Sequence, residues 1–139
     1  MTALSLAVLI LLVGAGACLI PMRSAAQAGV SLLSQSLAMG VLGLPIFTVL
    51  SGGAPVVSDM AWAYPMGVLR TRLDPLGAFF LAWSLPMTLL GSVYAVGYMR
   101  AHFDSRRHLG IHFALLNLTS LAFVLVYTAD HALVFLLGW

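Results

Sequence analysis

One uninterrupted apolar stretch constrains this chain more than any other feature. A charged cluster that ends in Arg72 and Asp74 precedes it, and no charged side chain follows until Arg100. At about 1.5 Å per residue, a helix of that length crosses a hydrocarbon core of roughly 30 Å. Pro75 suits the first turn of such a helix, where its missing N–H needs no partner, and Asp74 is then the predicted N-cap. The sequence therefore predicts a membrane-spanning helix over 75–99.

Composition places the whole chain in the same class. It is 62% hydrophobic and 7% charged, with neither Lys nor Glu, which excludes an ordinary soluble domain. The formal net charge of +2 is too small for a nucleic-acid footprint, so no nucleic-acid partner is expected. A single cysteine, Cys18, excludes a disulfide framework and a cysteine metal site, and we expect it to face lipid or a neighbouring helix. Residues 1–139 are predicted to form a single membrane domain.

The first apolar segment, 3–20, admits two interpretations. It ends in small residues, as a signal peptide does, but a signal peptide needs positive charge before its apolar core. Here the first charge is Arg23, after the core. This order favours a membrane anchor that leaves its N-terminus outside and delivers Arg23 to the cytoplasm.

The second predicted span, 28–50, carries polar residues in its first half. Gln35 is expected to seek a partner inside the protein, and Ser36 with Gly40 forms a small-x-x-x-small pair that would let a neighbouring helix approach closely. Pro45 is expected to kink or locally unwind this helix.

The rest of the chain divides into loops and spans. We expect 51–74 to be an extracytoplasmic loop, hairpin-like or irregular, with Trp62 and Tyr64 in the interfacial belt. Segment 100–110 is predicted to be a cytoplasmic loop and 111–129 a fourth span. The terminal piece, 131–139, is too short to span.

Arginine counts predict the topology of this all-α, polytopic protein with four transmembrane helices and the start of a fifth. With the N-terminus outside, the cytoplasmic loops hold four arginines and the outer loop holds two, as the positive-inside rule requires. The cytoplasmic arginines are Arg23, Arg100, Arg106 and Arg107, and the outer ones are Arg70 and Arg72.

No motif for soluble-enzyme chemistry is present, so no catalytic residue is expected. His108 and His112 have i, i+4 spacing but no third ligand nearby, and no metal is expected. The remaining candidates for a proton path or for helix packing are the polar groups predicted at membrane depth: Gln35, His112, Asn117 and Asp130. His112 is either a proton relay or a hydrated interfacial residue, and Asp130 either caps a short turn or lies near a proton exit.

Several ordered segments resemble a known family. They are RLDPLGAFF over 72–80, YAVGYM over 94–99, HF at 112–113 with LNL at 116–118, AD at 129–130 and FLLGW over 135–139. Over about residues 65–139 they resemble the antiporter-like membrane subunits. That family includes the proton-pumping subunits of respiratory complex I, the large subunits of multisubunit sodium/proton antiporters, and hydrogenase-4 component B with the large membrane subunit of formate hydrogenlyase. The motif sequences are most similar to those of the hydrogenase-4 branch. The signature residues are Arg72, Asp74, Pro75, Phe79, Tyr94, Gly97, Tyr98, Gly138 and Trp139.

The resemblance implies a multi-pass subunit of the bacterial inner membrane that couples electron transfer in partner subunits to proton movement. It implies no cofactor in this chain, which is then not catalytic on its own. The family pattern continues with a glutamate after Trp139 and with lysines in later helices, so the resemblance implies that this portion is scaffold. Its implied partners are lipid, the remaining helices of the subunit and other subunits of the complex. A subunit of an NADH-quinone oxidoreductase, a sodium/proton antiporter subunit and a small membrane scaffold or assembly protein are the alternatives.

Overall fold

The computed structural model describes residues 2–62, 67–103 and 109–139, and within these ranges the chain is mostly helical. Five α-helices are present: α1 (Ala3–Leu19), α2 (Ser24–Leu50), α3 (Pro75–Met99), α4 (Leu109–Thr128) and α5 (Ala132–Gly138). Two antiparallel strands, β1 (Val56–Trp62) and β2 (Gly67–Leu73), join α2 to α3. A short 3-10 helix, Arg100–His102, follows α3.

The helix bounds lie close to those expected from the sequence. Helix α3 covers the predicted 75–99, α1 is one residue shorter than predicted, and α2 begins four residues earlier. Asp74 is the N-cap of α3, as predicted: its Oδ1 accepts a 2.7 Å hydrogen bond from the N–H of Gly77, and Pro75 occupies the first turn. Three helices, α2, α3 and α4, are long and apolar enough to cross a membrane, whereas α1 is apolar but has 17 residues.

The prolines leave the helices continuous. Helix α2 runs through Pro45 and α3 runs through Pro86, so the local unwinding expected at Pro45 does not occur. Each proline removes one backbone donor without ending the helix.

Helices α1 to α4 alternate in direction and form one bundle. Helix α1 packs against α2 and α4, α3 packs against α2 and α4, and α5 packs against α4. Leu11, Leu42, Leu81 and Val124 come from four different helices and meet in the apolar core nearer to the hairpin. Phe113 centres a second, smaller apolar cluster toward the opposite end, with Cys18 and Leu109.

The segment between α2 and α3 is a β-hairpin in which alternate residues face the bundle. Leu73 is buried and Val56 packs against the core, whereas Val57 and Arg72 are exposed. A 2.7 Å hydrogen bond from Thr2 Oγ1 to Ser58 Oγ ties the start of α1 to β1. The first of the two predicted forms, a hairpin, is therefore correct; Tyr64 lies outside the described residues, as does the side chain of Trp62.

A cross-strand ion pair lies on the exposed face of this hairpin. Asp59 stands opposite Arg70, whose Nε and Nη2 donate to the two carboxylate oxygens at 2.9 and 3.2 Å. These hydrogen bonds lower the pKa of the Asp59 carboxyl and raise the pKa of Arg70. Both side chains are about half exposed, so the pair adds little to global stability.

Candidate polar site within the helix bundle

Among the described residues, the interior of the bundle contains eight buried polar side chains, none of them charged. Helix α2 contributes four, α3 contributes one and α4 contributes three: Gln27, Ser31, Ser34 and Gln35; Ser92; Asn117, Ser120 and Thr128. Ser120 and Thr128 donate to carbonyls of their own helix, and most of the others bond between helices. In the ranges that the structure describes, every charged residue lies at one end of the bundle or the other and none is buried.

Asn117 joins α4 to α2 at a point where α1 also comes close. It is fully buried; its Oδ1 accepts a 2.6 Å hydrogen bond from Ser34 Oγ, and its Nδ2 donates to the Phe113 carbonyl at 3.1 Å. Gly14 of α1 faces the same point, and a Cβ placed there would overlap the Ser34 side chain. The glycine therefore allows three helices to meet at one hydrogen bond.

Gln35 joins α2 to α3. Its side chain is 3% exposed, and its Nε2 donates to Ser92 Oγ at 2.7 Å and to Ser31 Oγ at 3.3 Å. Ser31 Oγ in turn donates to the Phe113 carbonyl of α4 at 3.4 Å. Gln35 and Asn117, both predicted from the sequence, thus belong to one set of interhelical contacts linked through serines.

A third group of contacts closes the end of the bundle where α1 finishes. Gln27 Nε2 donates to the carbonyls of Cys18 and Ile20, both at 3.1 Å, and so satisfies acceptors that the end of α1 leaves open. Cys18 faces the neighbouring helices rather than lipid: it is fully buried and its Sγ donates to the Gln27 carbonyl at 3.4 Å. Gly110 of α4 packs against the Cys18 carbonyl.

His112 lies near the start of α4 and is half-buried. Its ring is edge-on to Phe113, and its Nε2 is buried without a hydrogen-bond partner among the described residues. His112 is not bonded to Asn117 there, although the two are little more than one helical turn apart on α4. His108 lies outside the described residues, and within the described ranges no group of His, Cys, Asp or Glu is arranged to hold a metal.

Asp130 is placed differently from the other candidates. It is exposed at the hairpin end, and its backbone N–H donates to the Arg70 carbonyl at 3.3 Å. The prediction that Asp130 caps the following turn is wrong: His131 is the N-cap of α5, and its Nδ1 accepts a 3.2 Å hydrogen bond from the N–H of Leu133. Residue 130 pairs instead with β2, continuing the bridge between Thr71 and Ala129.

The Ser36–Gly40 pair does not pack together any two helices that the structure describes. Both residues are exposed, and a Cβ at Gly40 would meet no described atom within 4 Å. Other glycines contact a neighbouring helix closely, namely Gly14, Gly77, Gly110 and Gly138. Small-residue spacing alone did not indicate which face of α2 turns inward.

The signature residues lie mostly on the outside of the bundle. Phe79, Tyr94 and Tyr98 are exposed on α3, with the two tyrosine rings stacked at 6.2 Å. Arg72 and Gly97 are also exposed, whereas Gly138 of α5 packs against Leu125 and Val126, and Trp139 stacks on Phe135. Asp74 and Pro75 have a clear structural role, since they begin α3.

Some contributing residues were not predicted as site residues, namely Ser92, Gln27 and Gly14. A signal existed for α2, where Gln27, Ser31, Ser34 and Ala38 recur at helical spacing on one buried face. Ser92 is one serine in an apolar helix, and nothing in the sequence pairs it with Gln35.

The described residues form a mostly helical protein of the membrane class, with three helices long and apolar enough to cross a bilayer. No family model matches the chain. Two proteins of Mycobacterium tuberculosis, from strains CDC 1551 / Oshkosh and H37Rv, are each 31% identical to it over 102 residues. The matched region is 73% of this chain and 15% of each relative, and both relatives are named only as uncharacterized proteins.

Proposed function

We propose that this chain is an N-terminal portion of an antiporter-like, proton-translocating membrane subunit of an energy-converting redox complex, most similar to the hydrogenase-4 and formate hydrogenlyase type. In this proposal it crosses the bacterial inner membrane four times and holds the subunit together, while electron transfer takes place in partner subunits. The resemblance over about residues 65–139 supplies the family, and the bundle interior supports the role.

The observation that carries the scaffold role is the chemistry of the buried polar contacts. Asn117 with Ser34, and Gln35 with Ser92, connect α2 to two other helices through neutral amides and hydroxyls. Such groups fix helix positions at membrane depth without gaining or losing protons near neutral pH. The charged residues that the structure describes stand at the ends of the bundle. An arrangement of this kind orders helices and leaves ion movement to other parts of a subunit.

Four spans with the N-terminus outside fit the alternating helix directions. Helix α1 has 17 residues, about 25 Å at 1.5 Å per residue, and it packs within the same bundle as the three longer helices. It begins beside the hairpin, where Thr2 bonds Ser58. Arg23 and Arg100 lie at the opposite end, which the positive-inside rule assigns to the cytoplasm. Arg106 and Arg107, which complete that count, lie outside the described residues.

Cysteine labelling tests this topology. In a Cys18→Ala background, Val57→Cys and Ala101→Cys each place a thiol at an exposed position, one at either end of the bundle. A membrane-impermeant maleimide added to intact cells should label position 57, and position 101 should react only after the membrane is opened. The reverse pattern would overturn the N-out arrangement.

Partner subunits test the function itself. We expect the affinity-tagged natural protein, extracted from its own membranes in mild detergent, to co-purify with the nickel–iron catalytic subunit of a hydrogenase, identified by mass spectrometry. Inverted vesicles of the same membranes should then acidify their lumen when the redox reaction is started, and deletion of the gene should abolish this. An NADH-oxidising flavoprotein in the complex would favour the oxidoreductase alternative, and co-purifying antiporter subunits with sodium-dependent proton exchange would favour the antiporter. A stable protein with neither partners nor ion movement would favour the plain scaffold.

A further inference from the structure

One end of the Gln35 amide has no partner, although the side chain is almost completely buried. Its Nε2 contacts two hydroxyl groups, on Ser31 and Ser92, but its Oε1 accepts no hydrogen bond within the part of the chain that the structure describes. A buried carbonyl oxygen without a donor is rare in folded proteins, because it has lost its hydration and gained nothing in return. This oxygen therefore calls for a donor that is not one of the described groups.

Reversing the amide does not remove the problem. With oxygen and nitrogen exchanged, the Ser92 hydroxyl would donate to the oxygen, whereas the single hydroxyl hydrogen of Ser31 is already donated to the Phe113 carbonyl. The NH2 group would then occupy the unpartnered side and leave two donors unused. One end of the amide therefore lacks a partner among the described groups in both orientations.

Few molecules can reach this position. Gln35 is 3% exposed and its unpartnered atom is covered by the chain's own atoms, so lipid or a neighbouring helix would reach it only if α2 separated from α3. The partner must be small, and it must donate to Oε1 or, in the reversed orientation, accept from the amide. Water satisfies both conditions, because it is small and can both donate and accept.

We propose that Gln35 binds one internal water molecule between α2 and α3, at the unpartnered end of its side-chain amide. This site does not rest on the proposed membership of a redox complex, because it follows from the packing of this chain alone. It makes Gln35 a hydration site inside the bundle and not only a helix-packing residue.

The direct test is a cryo-EM map of the natural protein, in its native assembly, at a resolution that shows ordered internal waters. We expect one water density about 2.7–3.2 Å from the unpartnered end of the Gln35 amide. The proposal is overturned if the side chain is well ordered and other internal waters are visible but this position is empty, or if a protein atom fills it.

Radiolytic footprinting in 18O-labelled water gives a second measurement. Internal water produces hydroxyl radicals in place, so Phe113, which is fully buried and whose backbone carbonyl accepts a hydrogen bond from Ser31 Oγ, should incorporate label. Leu81, fully buried in the other apolar cluster, is the matched control and should remain unlabelled. In Gln35→Met, which has nearly the same shape without the amide, labelling of Phe113 should fall several-fold. Equal labelling of Phe113 in the two proteins, or its absence from the wild type, would contradict the proposal.

Discussion

The sharpest prediction concerns Gly14, where α1 meets α2. An added Cβ at this glycine would lie 2.5 Å from Ser34 Cβ and closer still to Ser34 Oγ. Ser34 cannot turn away freely, because its hydroxyl makes the 2.6 Å hydrogen bond to Asn117. Gly14→Ala must therefore either push α1 away from α2 or break that bond. Gly16, two residues along the same helix, has nothing within 4 Å of an added Cβ and provides the matched control.

The magnitude follows from two opposing effects. Alanine is favoured over glycine inside a helix by roughly 0.5–1 kcal/mol, and this gain applies at both positions. Overpacking a tight contact costs typically about 1–3 kcal/mol, and this cost applies at Gly14 only. We therefore expect Gly16→Ala to be neutral or slightly stabilising and Gly14→Ala to be less stable than Gly16→Ala by about 1–3 kcal/mol.

The free energy of unfolding can be measured by titrating the purified protein in mixed micelles with a denaturing detergent. Ser34→Gly removes both atoms that the new methyl group would meet, so the double variant Gly14→Ala/Ser34→Gly should lose most of the penalty that the methyl group imposes. Equal stability of Gly14→Ala and Gly16→Ala would refute the close contact. A penalty that persists at full size beside Ser34→Gly would show that it has another origin.

Three further outcomes are expected. Asn117→Ala should lower the free energy of unfolding in the same titration by about 1–3 kcal/mol, because it removes a buried hydrogen bond between α2 and α4 and leaves unfilled space, while Thr119→Ala on the exposed face should change it little. Asp74→Ala should cost about 0.5–2 kcal/mol there through loss of the α3 cap, and Asp74→Asn should restore most of it. The lowered pKa of Asp59 means that the pair with Arg70 stabilises the hairpin above the ordinary carboxyl pKa and that this contribution disappears as pH falls through the lowered value. Hydrogen-exchange protection of β1 and β2 should drop in that range, and Arg70→Leu should abolish the dependence.

Helix positions were predictable because lipid imposes a length on each apolar run and charges mark its ends. The Asp74–Pro75 pair added a local signal strong enough to place the first residue of α3. The hairpin was less certain, because no two-residue turn sequence such as Asn-Gly lies between its strands. Its register depends on which alternate residues face the bundle. Leu73 and Val56 face it and are paired with each other, but this inward direction is defined only by the helices against which they pack.

The candidate residues were harder to rank, because the predicted depth of a residue in the membrane does not show whether its side chain faces the bundle interior or lipid. Polarity makes Gln35 and Asn117 candidates, and in the structure hydrogen bonds through Ser31 and Ser34 place them in one set of interhelical contacts. His112 and Asp130 were chosen on the same grounds, yet neither belongs to that set of contacts in the part of the chain described. His112 is separated from that set by the rotation of α4 about its axis, which is fixed by neighbours far away in sequence. Asp130 lies beyond the end of α4 and bonds to β2 instead.

In a helix that faces lipid, the usual signal for the buried face is reversed. This explains why polarity identified Gln35 as a buried residue of α2 and why the small-residue pair Ser36 and Gly40 did not mark the buried face. The exposed side of α2 carries large apolar residues, including Leu33, Leu37 and Phe47, so apolar periodicity does not mark its interior. Polar periodicity does mark it, as Gln35 and its serine neighbours show, because a polar group at that depth is stable only against protein. Small residues carry less information, since glycine is stable against lipid as well as against a helix. The buried face of such a helix is therefore better predicted from its amides and hydroxyls than from its glycines.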